Sequence, residues 1–119
     1  MKRRNLLFII CIFLPLIGYA QTISLEGNWR FELDPKDKGT SEQWYSKTLS
    51  DEISLPGSCE EQGYGVKNIK ADMERLTRDV AYEGKAWYQK DFEVPASWNG
   101  KHVELFLERC HWESNVWID

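Results

Sequence analysis

Residues 86–95 read AWYQKDFEVP, and residues 102–110 read HVELFLERC. In the first run Ala86, Tyr88, Phe92 and Val94 share one parity, with Lys90 the only polar residue among them, while Trp87, Gln89, Asp91 and Glu93 share the other. In the second, Val103, Leu105 and Leu107 alternate against His102, Glu104 and Glu108. Alternation with period two predicts strands buried on one face and wet on the other. Between the runs, Pro95 cannot donate to a strand ladder and Asn99-Gly100 favours positive φ, so a turn is expected. The two runs are therefore read as neighbouring strands of one antiparallel sheet.

Working back from this pair, residues 25–34 (LEGNWRFELD) alternate in the same way, with Leu25, Trp29, Phe31 and Leu33 facing a core. Residues 41–49 suggest a short helix capped by Ser41, with Trp44 and Tyr45 packed inward. Residues 52–55 form a short strand stopped by Pro56-Gly57. A long, polar, charge-mixed connection runs over residues 58–79 before extended structure resumes at 80–82, and connections of that length carry function or lack order. Working forward, residues 113–119 (ESNVWID) start another strand with Val116 and Ile118 inward. The fold class is all-β. The alternating strands leave apolar faces that call for a second sheet, so the sandwich is read as incomplete at its C-terminal end.

Residues 1–20 stand apart. Lys2-Arg3-Arg4 precedes an apolar core at residues 6–18, and Gly18-Tyr19-Ala20 ends in a small residue. This pattern predicts an export signal cleaved after Ala20, with a periplasmic or secreted product. The apolar run is short for a membrane span, which needs roughly 20 residues. The remaining residues, 21–119, carry a net charge near −7 and all six tryptophans. Such a balance gives no electrostatic reason to bind nucleic acid or an anionic membrane, so neither is expected as a partner after cleavage.

Cys59, Cys110, His102 and His111 match no structural zinc spacing, and no metal or other cofactor is expected. The two cysteines are read as free thiols, with a Cys59–Cys110 bridge as the alternative in an oxidising compartment. Trp87, Trp98, Trp112 and Trp117 lie on or near the solvent parity, where they are covered by a neighbouring sheet or domain or else stack on a sugar ring. Glu60-Glu61 and the other carboxylates are read as an acidic surface.

Taken in order, GNWRFELDP, ISLPGS, YEGKAWYQKDFEVP and KHVELFLERCHWESNVWID resemble the N-terminal domain of glycoside hydrolase family 2, which includes β-galactosidases, β-glucuronidases and β-mannosidases. The resemblance runs from Leu25 to Asp119. It implies a jelly-roll (galactose-binding-like) β-sandwich ahead of an immunoglobulin-like domain and a TIM barrel, whose two glutamates perform retaining hydrolysis. The ending VWID resembles the family's Val-Trp-(Val/Ile)-(Asn/Asp)-Gly strand and turn. The resemblance implies that residues 21–119 are part of an exported exo-β-glycosidase of β-galactosidase type, with the other domains of the same enzyme as partners and the carbohydrate substrate bound through the barrel. It also aligns Asp79, with Arg78 beside it, with a loop that offers an Asn to the terminal sugar, and no catalytic residue falls within the chain. A freestanding secreted carbohydrate-binding or protein-interaction module is the other reading.

Overall fold

The computed structural model describes residues 20–68 and 78–119. The predicted export segment therefore lies outside the described residues, apart from Ala20. Five strands are formed in the described part: β1 (Gly27–Asp34), β2 (Asp51–Leu55), β3 (Val66–Lys67), β4 (Val80–Ala81) and β5 (Lys85–Gln89). The only helical pieces among these residues are 3-10 turns at Trp44–Ser46 and Ala96–Trp98. The all-β expectation holds.

Strand β1 is the centre of a three-stranded antiparallel sheet ordered β2-β1-β5, and β3 pairs with β4 in a separate two-stranded ribbon. The register places Trp29 opposite Ile53, and Phe31 opposite both Asp51 and Tyr88. On this face Phe31 and Ile53 are fully enclosed. The Phe31 ring meets Tyr64 at 4.8 Å and Tyr88 at 5.0 Å in tilted or edge-on geometry. Such aromatic pairs add stability beyond the apolar area they bury. Truncating a residue like Phe31 to alanine costs about 3–5 kcal/mol, so this ring anchors the face.

The opposite face is also covered. Glu32 pairs with Trp87, and Asp34 with Lys85. Asp34 is 2% exposed. Its carboxylate accepts from the backbone N–H of Lys38 at 2.8 Å, that of Gly39 at 2.7 Å and the Trp87 indole at 3.2 Å. Burial alone would push the Asp34 carboxyl up, but these three donors outweigh it and hold it below the usual carboxylate range. Gly39 is required here by close approach, because a Cβ at this position would collide with the Trp87 indole. Trp87 is then enclosed by Trp44 and by Trp117, whose ring stacks on it at 4.9 Å.

Trp87 is thus a core residue, contrary to its solvent parity. Alternation assumes one dry face, whereas the loop that Asp34 folds back over the sheet covers the Asp34 and Trp87 end of the second face as well. Gln89 shares that solvent parity but does not simply face water. Instead its amide donates to the carbonyls of Trp44 (3.0 Å) and Lys47 (2.6 Å) and accepts from the Leu49 N–H (3.1 Å), tying residues 44–49 to β5. The helix expected at residues 41–49 is reduced to one 3-10 turn, with Gln43 in a left-handed conformation at its start. Ser41 donates to the Lys38 carbonyl instead of capping a helix, and Tyr45 is exposed though stacked on Trp117.

The pairing expected between residues 86–95 and 102–110 is not formed. Strand β5 pairs with β1, and residues 102–119 contain no strand. Val103, Leu105, Leu107, Val116 and Ile118 are exposed. Alternation tells which side chains share a face, but a strand also needs a ladder partner, and none lies beside this segment among the described residues. The turn between the runs does form, with the Lys101 N–H donating to the Trp98 carbonyl and Gly100 at φ 73°.

Two outcomes are expected from the Asp34 cluster. Asp34→Ala strips the acceptor from three donors, each costing about 1 kcal/mol or more, and should lower the unfolding free energy by about 3 kcal/mol in a denaturant titration followed by tryptophan fluorescence. Because the folded pKa of Asp34 is depressed, its stabilisation is complete above the unfolded value of about 3.9 and is lost as pH falls through the folded pKa. Melting temperatures of the natural chain should therefore fall steeply below about pH 4, and the Asp34→Asn chain should show a shallower acid slope.

Candidate functional site

Arg78 and Asp79 sit at the approach to β4, beside the β3–β4 ribbon. The backbone N–H of Asn68 donates to the Asp79 carbonyl at 2.8 Å, extending the ladder in which Lys67 pairs with Val80. The Asp79 side chain is exposed and accepts no hydrogen bond from the described residues. Arg78 is not free: its guanidinium donates to Glu60 at 2.9 Å, and the Glu60 side chain is only 15% exposed. An ion pair with one partner this sheltered holds a loop better than a fully solvated pair.

Glu60 is itself fixed from below. Gln62 exchanges two hydrogen bonds of 2.8 Å with the backbone N–H and carbonyl of Ser54 on β2. Ser58 and Glu61 exchange reciprocal backbone-to-side-chain bonds of 3.2 and 3.3 Å. The backbone N–H groups of Gln62 and Tyr64 donate to the Cys59 carbonyl. Polar residues that looked like undirected loop composition thus build a tight turn docked on the sheet edge. The Glu60 carboxyl lies below its usual range because its own backbone N–H and the Cys59 thiol donate to it; together with smaller contributions from the Arg78 charge and hydrogen bond they outweigh the cost of burial. Glu60 is therefore an anchor for Arg78, not part of a solvated acidic surface. The sequence offered no pattern that pairs residues 60 and 78, which lie in one long connection.

This cluster lies on the Phe31 face. The Tyr88 phenol is pushed up to about 12, first by desolvation and then by the charges of Cys59 and Glu60. Cys59 and Cys110 are both free thiols. Residues 110 and 111 are not on a strand, and the two histidines lie apart from the cysteines' bonds: His102 contacts Glu104, and the His111 ring meets Trp112 edge-on. Among the described residues, no three His, Cys, Asp or Glu side chains converge as a metal site. The Glu60 carboxylate is engaged by Cys59 and Arg78, and one oxygen of the exposed Glu61 accepts from the Ser58 N–H. What the arrangement can do is present one exposed acceptor, Asp79, on a segment whose neighbouring cation is already neutralised.

The Cys59 thiol reports on this anchor. Its pKa is raised, first by burial and next by donation to and charge repulsion from Glu60. Glu60→Gln removes the charge and keeps the shape, so the pH profile of Cys59 alkylation by iodoacetamide should move to lower pH, following the thiolate. An unchanged profile would show that Glu60 does not hold the thiol.

Residues 22–119 match the family described as "Glycosyl hydrolases family 2, sugar binding domain". A β-glucuronidase of Paenibacillus borealis is 32% identical over 99 residues, an overlap that takes in 80% of this chain and 14% of the relative. The chain thus spans about one seventh of the length of that relative. No solved structure gives a match. The family model takes in all four stretches that carried the sequence resemblance, and the antiparallel, almost wholly β architecture agrees with the family's β-sandwich. The chain belongs to glycosyl hydrolase family 2, as its sugar-binding domain.

Proposed function

We propose that residues 21–119 are the N-terminal domain of an exported, retaining exo-β-glycosidase of β-galactosidase type, and that residues 1–20 are its cleaved export signal. The observation that carries this reading is the family match over residues 22–119, together with the small share of the β-glucuronidase relative that the chain covers. In this proposal the acid/base and nucleophile belong to a barrel elsewhere in the same polypeptide, since retaining cleavage needs two carboxylates about 5–5.5 Å apart on a rigid scaffold. The exposed apolar side chains at Val103, Leu105, Val116 and Ile118 support a further sheet or domain packing against this segment.

Within that enzyme, the segment at Arg78 and Asp79 forms part of the rim of the sugar pocket. Asp79 accepts from a hydroxyl of the terminal sugar, and Glu60 keeps the segment in place through Arg78. The same geometry favours a neutral sugar over a uronic acid. A hexuronate carboxylate needs an unpaired cation, whereas Arg78 is committed to Glu60 and Asp79 would repel it.

Three outcomes follow from this reading. The 119-residue chain alone should turn over none of the aryl β-galactosides, β-glucuronides or β-mannosides; turnover that survives purification and vanishes on mutating one of its carboxylates would overturn the domain reading. In the polypeptide that includes the barrel, Asp79→Ala should lower kcat/KM for an aryl β-galactoside about tenfold, the worth of one lost hydrogen bond. Mass spectrometry of the exported product should give an N-terminus at Gln21, and recovery of the protein from membranes with Met1 intact would contradict export by cleavage.

A further inference from the structure

On the sheet face opposite Glu60 and Arg78, Glu32, Glu42, Trp44, Lys47, Thr48 and Leu49 line a shallow depression of about 220 Å³. The two sites cannot merge, because the register puts Glu32 beside Trp87 on one face and Phe31 beside Tyr88 on the other. The walls are fixed by bonds already described. Gln89 holds the carbonyls of Trp44 and Lys47 and the N–H of Leu49, so the loop that carries Trp44 and Lys47 is fastened to β5. The Trp44 indole N–H donates to Glu42 at 3.0 Å, which sets the ring's orientation, and Lys38 sits 3.8 Å from the same carboxylate.

Two charged groups in this depression are unspent. The half-buried Glu32 carboxylate accepts no hydrogen bond, and the Lys47 ammonium has no ion-pair partner among the described residues. They line the same depression without pairing with each other, which leaves an acceptor and a donor facing shared space beside an indole. Drug-sized ligands occupy roughly 300–1,000 Å³, so a depression this small suits a single ring. A carboxylate offers lone pairs for two adjacent hydroxyls, an ammonium offers donors to a hydroxyl oxygen, and an indole face suits a ligand with one C–H-rich side.

We propose that this depression is a second carbohydrate site that takes one neutral hexopyranose residue of a glycan, with Glu32 accepting from a vicinal diol, Lys47 donating to a neighbouring hydroxyl, and the sugar's C–H face on Trp44. It is independent of the catalytic reading, since it uses none of the residues near Asp79 and needs no barrel. Two carboxylates against one ammonium in the lining make a hexuronate the poorer ligand. Affinity for one sugar ring is on the order of millimolar, which is enough to hold a polymer that offers many copies.

The test is an NMR titration of the 119-residue chain with methyl β-D-galactopyranoside, following the tryptophan indole N–H signals. The Trp44 indole signal should move saturably while that of Trp29, which donates to the Leu25 carbonyl at 2.7 Å, stays in place as an internal control of folding. Glu32→Gln, which disturbs no bond in the fold, should weaken binding about tenfold, and Lys47→Met should weaken it by a smaller factor. Methyl β-D-glucuronide should bind more weakly than the galactoside. Absence of a saturable Trp44 shift, or equal binding by Glu32→Gln, or preference for the glucuronide, would overturn the proposal. Because the readout is binding by this chain alone, a failed hydrolysis assay of the longer polypeptide leaves it standing, and its own failure leaves the catalytic reading untouched.

Discussion

The carboxylate of Asp34 is the constraint on which the rest of this sheet depends. It stands at the end of β1, buried, and takes hydrogen bonds from Lys38, Gly39 and Trp87 at once. Two of these bonds turn the chain back after β1, and the third pulls the Trp87 indole under that turn. Without the turn, Trp87 would lie on a wet face, and neither Trp44 nor Trp117 would have a ring to cover. A buried carboxylate is costly unless fully bonded. Here three donors reverse the effect of burial, so the group that is most expensive to bury also organises the second face of the sheet. Gly39 is part of the same device, because only a residue without Cβ lets the backbone lie against the indole.

This partly covered second face explains where the sequence was legible and where it was not. Alternation located β1 and β2 to within a residue or two at their ends, and Pro56-Gly57 and Pro95 to Gly100 marked turns that the structure contains. Period-two logic then failed at Trp87 and Gln89, since it assigns one face of each strand to water. Both residues instead serve the loop folded over by Asp34. The signal that could have redirected the reading was chemical: a tryptophan and an amide among charged residues on the supposed wet side, with an Asp and a Gly nearby in the preceding strand and loop. For residues 102–119 the pattern predicted strands with a buried face, but it could not supply the neighbouring strand that a ladder requires, and the apolar side chains are exposed.

The site was legible in part. Arg78 and Asp79 could be named because the family resemblance aligned them, and both lie in the described residues. Their consequences could not be read, since the ion pair to Glu60 bridges a long polar connection with no spacing rule of its own. Glu60 in turn depends on Gln62 gripping Ser54, a contact between a loop and a strand edge that only tertiary structure reveals. The depression at Glu32 is a similar case. Glu32 and Trp44 belong to different elements, and Gln89, a third, brings them to one surface. Thus one sheet offers two polar features on opposite faces: a neutralised arginine with an exposed aspartate on one, and, beside an indole on the other, a carboxylate and an ammonium that are unpaired among the described residues.

In the proposed function, the Phe31 face of this domain delivers Asp79 to a sugar bound by the rest of the enzyme. The most direct measurement is a crystal structure of the polypeptide that contains both this domain and the catalytic barrel, with a β-galactoside or galactose bound. The account predicts the Asp79 carboxylate within hydrogen-bond distance of a hydroxyl of the terminal sugar, with the Glu60–Arg78 pair intact behind it. A bound sugar with Asp79 turned to bulk solvent, or with Arg78 released from Glu60 to contact the ligand, would contradict it.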